Sequence, residues 1–329
     1  MVRMEPKLLA SLGSAVITRR ELLELGLVAA VSPRRLLLGD DAWSFVVFSD
    51  THFGIPGHLE KNRALLEEIA ALDPDFAINI GDVTERAWTE EFEEANRGFA
   101  GLPYRVHCAP GNHDVRWAPM GPLGFKRHIG PVRQLFTHRG CAFLILDSTV
   151  PLSHWGHVGG PQRRWIRDQL ERIGRDTPVF VFLHHPVGRG SGVDDDEALA
   201  ETLAPFNVRV IFTGHGHSDL LWNWHGTAVT MGKGLYQGSY QHARVDTLAG
   251  EIHVSRRTAD DPSLTRFLAV PLAPATAHAH EPAHAHEPEH AHAHEPEPDQ
   301  LPYVWRHPLG GGVMSRLLLD GGTLFVSAM

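Results

Sequence analysis

Five short apolar runs limit how this chain can fold, because each one ends in a carboxylate, amide or imidazole beside glycine or proline. They cover residues 43–49, 76–80, 104–109, 178–183 and 208–212. They close respectively in Asp50-Thr51-His52-Phe53-Gly54, Gly81-Asp82, Gly111-Asn112-His113-Asp114, His184-His185-Pro186 and Gly214-His215-Gly216-His217. Runs of this length, rich in β-branched and aromatic residues and stopped by turn formers, read as buried strands. Between them lie segments with helical spacing. Residues 59–72 carry Leu65, Leu66, Ile69 and Leu72 on one face and stop at Asp73-Pro74. Residues 162–173 carry Trp165, Ile166, Leu170 and Ile173, after a Gly159-Gly160-Pro161 start suited to a first helical turn. Further helices are expected near 89–98 and 197–204. Strand, helix, strand order implies a parallel sheet, so successive strands deliver their terminal polar residues to the same edge. In open α/β sheets that edge is where ligands bind. A sixth strand, 141–146, ends in Asp147-Ser148-Thr149, and residues 115–140 read as loop.

With 329 residues and 43% hydrophobic content the chain can bury a large core. Its formal charge of −9 offers no basic face for nucleic acid. The two cysteines, Cys108 and Cys141, each fall inside an expected strand, so they make neither a disulfide framework nor a thiolate metal site. Histidine is the outlier at 23 residues.

The strand-end residues Asp50, His52, Asp82, Asn112, His184, His215 and His217 form a mixed oxygen and nitrogen donor set without thiolate. That set suits Mn, Fe or Zn better than Ca or Mg. Seven donors exceed the need of one ion. Two ions at about 3.5–4 Å need a bridging group, and Asp82 can give one oxygen to each. Such a pair activates a shared water and clamps an in-line displacement at phosphorus. His215 and His217, separated by one glycine on an open loop, are hard to explain as core filling.

In order, these five motifs resemble the calcineurin-like metallophosphoesterase superfamily over about residues 43–260. The resemblance implies a four-layer α/β sandwich, two mixed sheets face to face with helices outside. It implies Asp50, His52 and His217 on one metal ion, Asn112, His184 and His215 on the other, and Asp82 bridging. His113 takes the place of a histidine that contacts the scissile phosphate or protonates the leaving oxygen, with Asp114 orienting it. Of the adjacent pair, His184 is the ligand and His185 the alternative. Gly111-Asn-His-Asp114, Leu146-Asp-Ser148 and His157-Val-Gly-Gly160 leading into the Trp165 helix look like the branch of class III cyclic-nucleotide phosphodiesterases and glycerophosphodiesterases. The implied activity is phosphodiester hydrolysis by a metal-bound hydroxide. Alternatives are a phosphomonoesterase of the same fold, or a non-catalytic metal-binding interaction module. Arg116, Trp117, His154 and Arg189, on loops between the motifs, are candidate contacts for a small phosphoester substrate.

The domain expectation is 1–40 as an N-terminal arm or degenerate twin-arginine signal, 41–272 as the metallophosphoesterase domain, 273–300 as a linker, and 301–329 as a C-terminal extension. Thr18-Arg19-Arg20-Glu21-Leu22-Leu23 precedes a mostly apolar segment, as in export signals, although Glu24 interrupts it. The location is therefore expected to be cytoplasmic or exported. No segment approaches the roughly 20 apolar residues of a membrane span. Seven of the histidines lie in the Ala-His and Glu-Pro repeats of 276–299, which carry no hydrophobic periodicity. A third functional reading makes that tract a metal-handling element. Residues 316–326 read as a hairpin turning at Asp320-Gly321-Gly322, a possible contact for a homo-oligomer. Stretches near 228–230, 242–246 and 251–255 are expected to be antiparallel strands completing the second sheet.

Overall fold

The computed structural model describes residues 42–190, 192–273, 318–320 and 323–325. The N-terminal arm and the 273–300 linker lie outside them, apart from residue 273. The chain divides into two units, residues 1–276 and 277–329. In the second, Leu318–Asp320 pairs antiparallel with Thr323–Phe325. Side chains there lie outside the described residues, so a subunit contact through this hairpin rests on sequence alone. No helix among the described residues is long and apolar enough to cross a membrane.

Twelve strands of the first unit form two six-stranded sheets. The first sheet takes β1 (Ala42–Phe48), β2 (Phe76–Asn79), β3 (Arg105–Cys108), and then, late in the chain, β10 (Tyr240–Asp246), β11 (Glu251–Arg257) and β12 (Thr265–Pro271). Its order is β12-β11-β10-β1-β2-β3, parallel through β1, β2 and β3 and antiparallel elsewhere. The second takes β4 (Gln134–His138), β5 (Cys141–Ile145), β6 (Val179–Phe182), β7 (Val208–Thr213), β8 (Leu220–Trp224) and β9 (Thr227–Met231), in the order β4-β5-β6-β7-β9-β8. Among the described residues the α-helices are α1 (His58–Ala70), α2 (Thr89–Phe99), α3 (Asn112–Val115), α4 (Pro122–His128), α5 (Gly160–Ile173) and α6 (Asp196–Leu203).

The period-two alternation of strand side chains explains the layering. Phe45 and Val47 of β1 point inward with Phe76, Ile78, Phe143, Ile145, Phe180, Phe182 and Phe212, forming one buried cluster drawn from both sheets. The intervening Val46 and Phe48 point outward, where Leu66 and Ile69 of α1 cover them. On the second sheet Leu144, Val181 and Ile211 face outward under Ile166 and Leu170 of α5 and Leu199 and Leu203 of α6. Strands apolar on both faces thus demand a helix layer on each side of the sandwich. The centre is aromatic: Phe45 stacks on Phe76 at 5.6 Å and meets Phe143 edge-on at 5.2 Å.

Two expectations are corrected. Residues 115–140 are not all loop, since they hold α4 and the edge strand β4. Pro122 at the start of α4 supplies the preset φ of a first turn, and the basic Lys126 and Arg127 sit in its last turn, where the helix dipole favours them. The late strands do not complete the second sheet together. β9 joins the second sheet parallel to β7, whereas β10 and β11 extend the first sheet from β1. The separation follows from burial: Ala243 and Val245 enter the central cluster beside Trp43 and Phe45, and Val229 packs under the outer layer of the second sheet.

Candidate metal centre

The carboxyl ends of β1, β2, β3, β6 and β7 lie along one edge of the sandwich, and the chain fastens them together with backbone bonds. The Asp50 N–H donates to the Gly81 carbonyl at 2.9 Å, the His52 N–H to Asp82 at 3.0 Å, and the Gly214 N–H to His184 at 2.9 Å. His184 ties the two sheets through its Nδ1, 2.9 Å from the Ile80 carbonyl oxygen. Asp50, His52, Asp82, His215 and His217 all adopt positive φ, between 44° and 69°. A non-glycine residue there costs roughly 1–3 kcal/mol and persists where surrounding structure enforces it, often at functional sites. Gly111 is required at its position, because a Cβ would overlap the Asp82 backbone N and carboxylate.

The polar atoms gather into two sets that share Asp82. In the first, His217 Nε2 lies 3.3 Å and His52 Nε2 4.0 Å from Asp50 Oδ1, and His52 Nε2 lies 3.9 Å from Asp82 Oδ2. In the second, His184 Nε2 lies 3.2 Å from Asp82 Oδ2 and 3.1 Å from Asn112 Oδ1, and His215 Nδ1 is 2.8 Å from the same Asn112 oxygen. Asp82 Oδ1 accepts the His113 N–H at 2.9 Å, and Oδ2 faces both His52 and His184. The backbone bond fixes the orientation of the Asp82 carboxylate between the two sets.

These residues fit a metal pair. Both Asp50 carboxylate oxygens and His52 Nε2 are buried with no hydrogen-bond partner, although Asp50 is wholly buried. A buried carboxylate without donors is costly unless a cation faces it. In the protein alone, burial pushes the Asp50 carboxyl up, only partly offset by His184. Burial drives His52 and His215 down to about 3, leaving them neutral as ligands must be. His184 behaves oppositely: burial disfavours its charge, but Asp82 more than compensates and raises it to about 9. Asp82 is itself pushed up by burial, and the pull of His184 reverses this, holding its carboxyl well below the usual range.

The calcineurin-like phosphoesterase family model matches residues 44–219, more than half the chain and both donor sets. The chain belongs to this family. Among its relatives, a "Probable cyclic nucleotide phosphodiesterase" of Rhodococcus erythropolis is 28% identical over 206 residues, covering 56% of this chain and 68% of the relative. A glycerophosphodiester phosphodiesterase of Enterobacter lignolyticus is 26% identical over 219 residues, 59% of this chain and 78% of the relative. A dimetal phosphatase from Danio rerio shares the fold with a TM-score of 0.58 at 12% identity, over 70% of this chain and 99% of its own. As a calcineurin-like phosphoesterase the chain is a metal-dependent phosphoric ester hydrolase, and one ligand atom each of Asp50, His52, Asp82 and His217 lies within 4.8 Å of the others, as a metal site requires.

Around the donor sets this phosphoesterase carries residues that strand-end patterns do not disclose. Glu85 Oε2 accepts from His52 Nδ1 at 2.9 Å, and the Glu85 carbonyl accepts from His113 Nδ1 at 2.7 Å. Tyr236 Oη lies 3.1 Å from His217 Nδ1, and its ring stacks on His58 at 4.5 Å. A carboxylate three residues after Asp82 was visible in the sequence, but its direction was not. Tyr236 sits in a glycine-rich turn before β10 with no pattern to mark it.

Asp114 does not orient His113. Its two oxygens accept from the Gly111, Val83 and Thr84 N–H groups and the Thr84 hydroxyl at 2.8–3.1 Å, so its charge is spent joining the Gly111 and Asp82 loops. Burial pushes its carboxyl up to about 6. His184 lies within the second set, whereas His185 Nδ1 pairs with Ser148 Oγ at 2.8 Å. Of the candidate substrate contacts, Trp117 meets the His113 ring edge-on at 5.2 Å, His154 lies 4.7 Å from the His215 ring, and Arg116 Nη1 is 3.4 Å from His154 Nδ1. Arg189 is not brought together with them. Its guanidinium covers Trp222 at 4.8 Å, and it lines a cavity of about 470 Å³ with Trp155, Val193 and Asp196.

Proposed function

We propose that this phosphoesterase hydrolyses a phosphodiester, using two divalent or trivalent ions of the Mn, Fe or Zn type. The observation that carries this is the Asp82 carboxylate lying between two nitrogen-rich donor sets beside His113. Asp50, His52 and His217 would hold one ion, Asn112, His184 and His215 the other, with Asp82 between them. The absence of thiolate from the donors favours those metals over softer choices. When bound, the pair supplies Lewis-acid stabilisation of phosphoryl charge and makes a water nucleophilic at neutral pH.

The chain's own residues account for the remaining steps. His113, engaged at Nδ1 by the Glu85 carbonyl, has Nε2 left for substrate. As water adds to phosphorus and the ester P–O bond breaks, His113 gives its Nε2 proton to the departing oxygen. It is left neutral with the proton on Nδ1, the tautomer that the Glu85 carbonyl stabilises. Glu85 also fixes His52 as an Nδ1–H tautomer, so Nε2 is free to ligate. Preference for diesters over monoesters is supported by the two relatives described above, both of which are named phosphodiesterases.

The test is hydrolysis of bis(4-nitrophenyl) phosphate and 4-nitrophenyl phosphate by Mn-loaded protein, with Asn112→Ala and His113→Ala alongside. The diester should be the better substrate, and each variant should lose about a hundredfold or more. A wild type that holds two ions and turns over neither compound would favour a non-catalytic metal-binding module.

A further inference from the structure

Arg116 follows the Gly111-Asn112-His113-Asp114 loop by two residues and has an unusual setting for a half-buried cation. Its guanidinium lies 4.5 Å over the Trp117 ring, and Nη1 reaches the His154 ring at 3.4 Å. Among the described residues no carboxylate pairs with it. Both of its neighbours touch the site: Trp117 meets His113 edge-on, and His154 packs against His215. The guanidinium is thus one ring removed from the leaving-group histidine and one ring removed from the second donor set. Trp117 is 48% exposed, so the Arg116-Trp117 pair borders the mouth of the site. The backbone is braced as well, with the Leu152 N–H donating to the Arg116 carbonyl at 3.3 Å.

A guanidinium keeps its charge and offers a planar fork matched to carboxylate or phosphate. The scissile phosphate would be met by the donor sets and His113. Arg116 lies outside that ring of groups, joined to His113 through the Trp117 ring and to His215 through the His154 ring. We infer that Arg116, braced by Trp117 and His154, recognises a second anionic group carried on the leaving alcohol of the diester. The inference rests on the phosphodiesterase function proposed above. Trp117 forms the wall along which that leaving group lies, and His154 sets the angle of the fork. Arg116 is a specificity-determining residue here, because it meets the substrate without touching the reacting bonds.

The test compares two methyl aryl phosphodiesters, methyl 4-nitrophenyl phosphate and methyl 3-carboxy-4-nitrophenyl phosphate, on the Mn-loaded full chain. Wild type should favour the carboxylate-bearing compound in kcat/KM. Arg116→Ala should reduce that ratio about tenfold, the scale of one charge-assisted hydrogen bond, and Arg116→Lys should retain part of it. Calorimetric binding of 3-phosphonopropionate against propylphosphonate gives the same comparison without turnover. An equal loss on both diesters in Arg116→Ala, a wild type without preference, or a preference that survives the substitution would each overturn the subsite. If wild type hydrolysed neither diester, the phosphodiesterase proposal would fail, and the two phosphonates would still decide whether Arg116 binds a second anion.

Discussion

His113 donates from Nδ1 to the backbone carbonyl of Glu85 across 2.7 Å. The Glu85 carboxylate meanwhile accepts a hydrogen bond from His52 Nδ1–H at 2.9 Å and approaches His113 Nδ1 at 3.5 Å. One residue therefore sets the tautomers of a candidate metal ligand and of the proton donor. Glu85→Ala should lower kcat/KM by about tenfold to a hundredfold, as partners of metal-bound histidines commonly do. Glu85→Gln keeps an acceptor for His52 and should lose less. Equal losses in the two variants would show that charge, not hydrogen bonding, is what Glu85 contributes.

Tyr236 holds His217 through its hydroxyl at 3.1 Å. Tyr236→Phe keeps the ring that stacks on His58 and removes only the oxygen. Metal affinity should weaken about tenfold with the melting temperature of the metal-free protein little changed, which calorimetric Mn titration and thermal unfolding can check. An unaltered affinity would remove Tyr236 from the account.

Metal uptake should depend on pH through His184. In the metal-free protein Asp82 raises this group to about 9, so at neutral pH it carries a proton that a metal must displace. Below about 9 the apparent affinity should therefore rise with pH, about tenfold per unit for one proton released, and level off above it. Calorimetry in buffers of differing ionisation enthalpy should register that proton, and none would be released if His184 were already neutral.

Gly111→Ala places a methyl group against the Asp82 backbone and carboxylate. The loop must shift, moving the shared oxygen and the His113 amide together, so metal binding and turnover should both collapse. Phe45→Ala, in the aromatic centre between the sheets, should instead destabilise the fold by about 3–5 kcal/mol without changing the metal stoichiometry of the folded fraction. Denaturant unfolding and metal analysis separate the two effects.

The strands and helices that build the site were legible because their residues are apolar on two faces or one. Phe45, Val46, Val47 and Phe48 admit no exposed face, and Ile166 and Leu170 recur at helical spacing. The edge strand β4 was not legible, because it is half-buried and its Gln134 and His138 ends are polar. Nor was the division of the late strands, since Val229 and Val245 look alike in sequence and differ only in which packed layer receives them. At the site the donors stood out because histidine and aspartate at strand ends have no packing role. Their supports did not: Glu85 reads as a surface acid, Tyr236 as a loop aromatic, and Asp114 as a catalytic carboxylate until its four donors are seen.

The most direct test is a titration of chelator-stripped protein with Mn, following bound metal and bis(4-nitrophenyl) phosphate hydrolysis together. Two equivalents should bind, with activity tracking the second, and Asp82→Asn should abolish both events. Full activity with one bound equivalent, or two bound equivalents and no turnover, would contradict a shared two-metal centre.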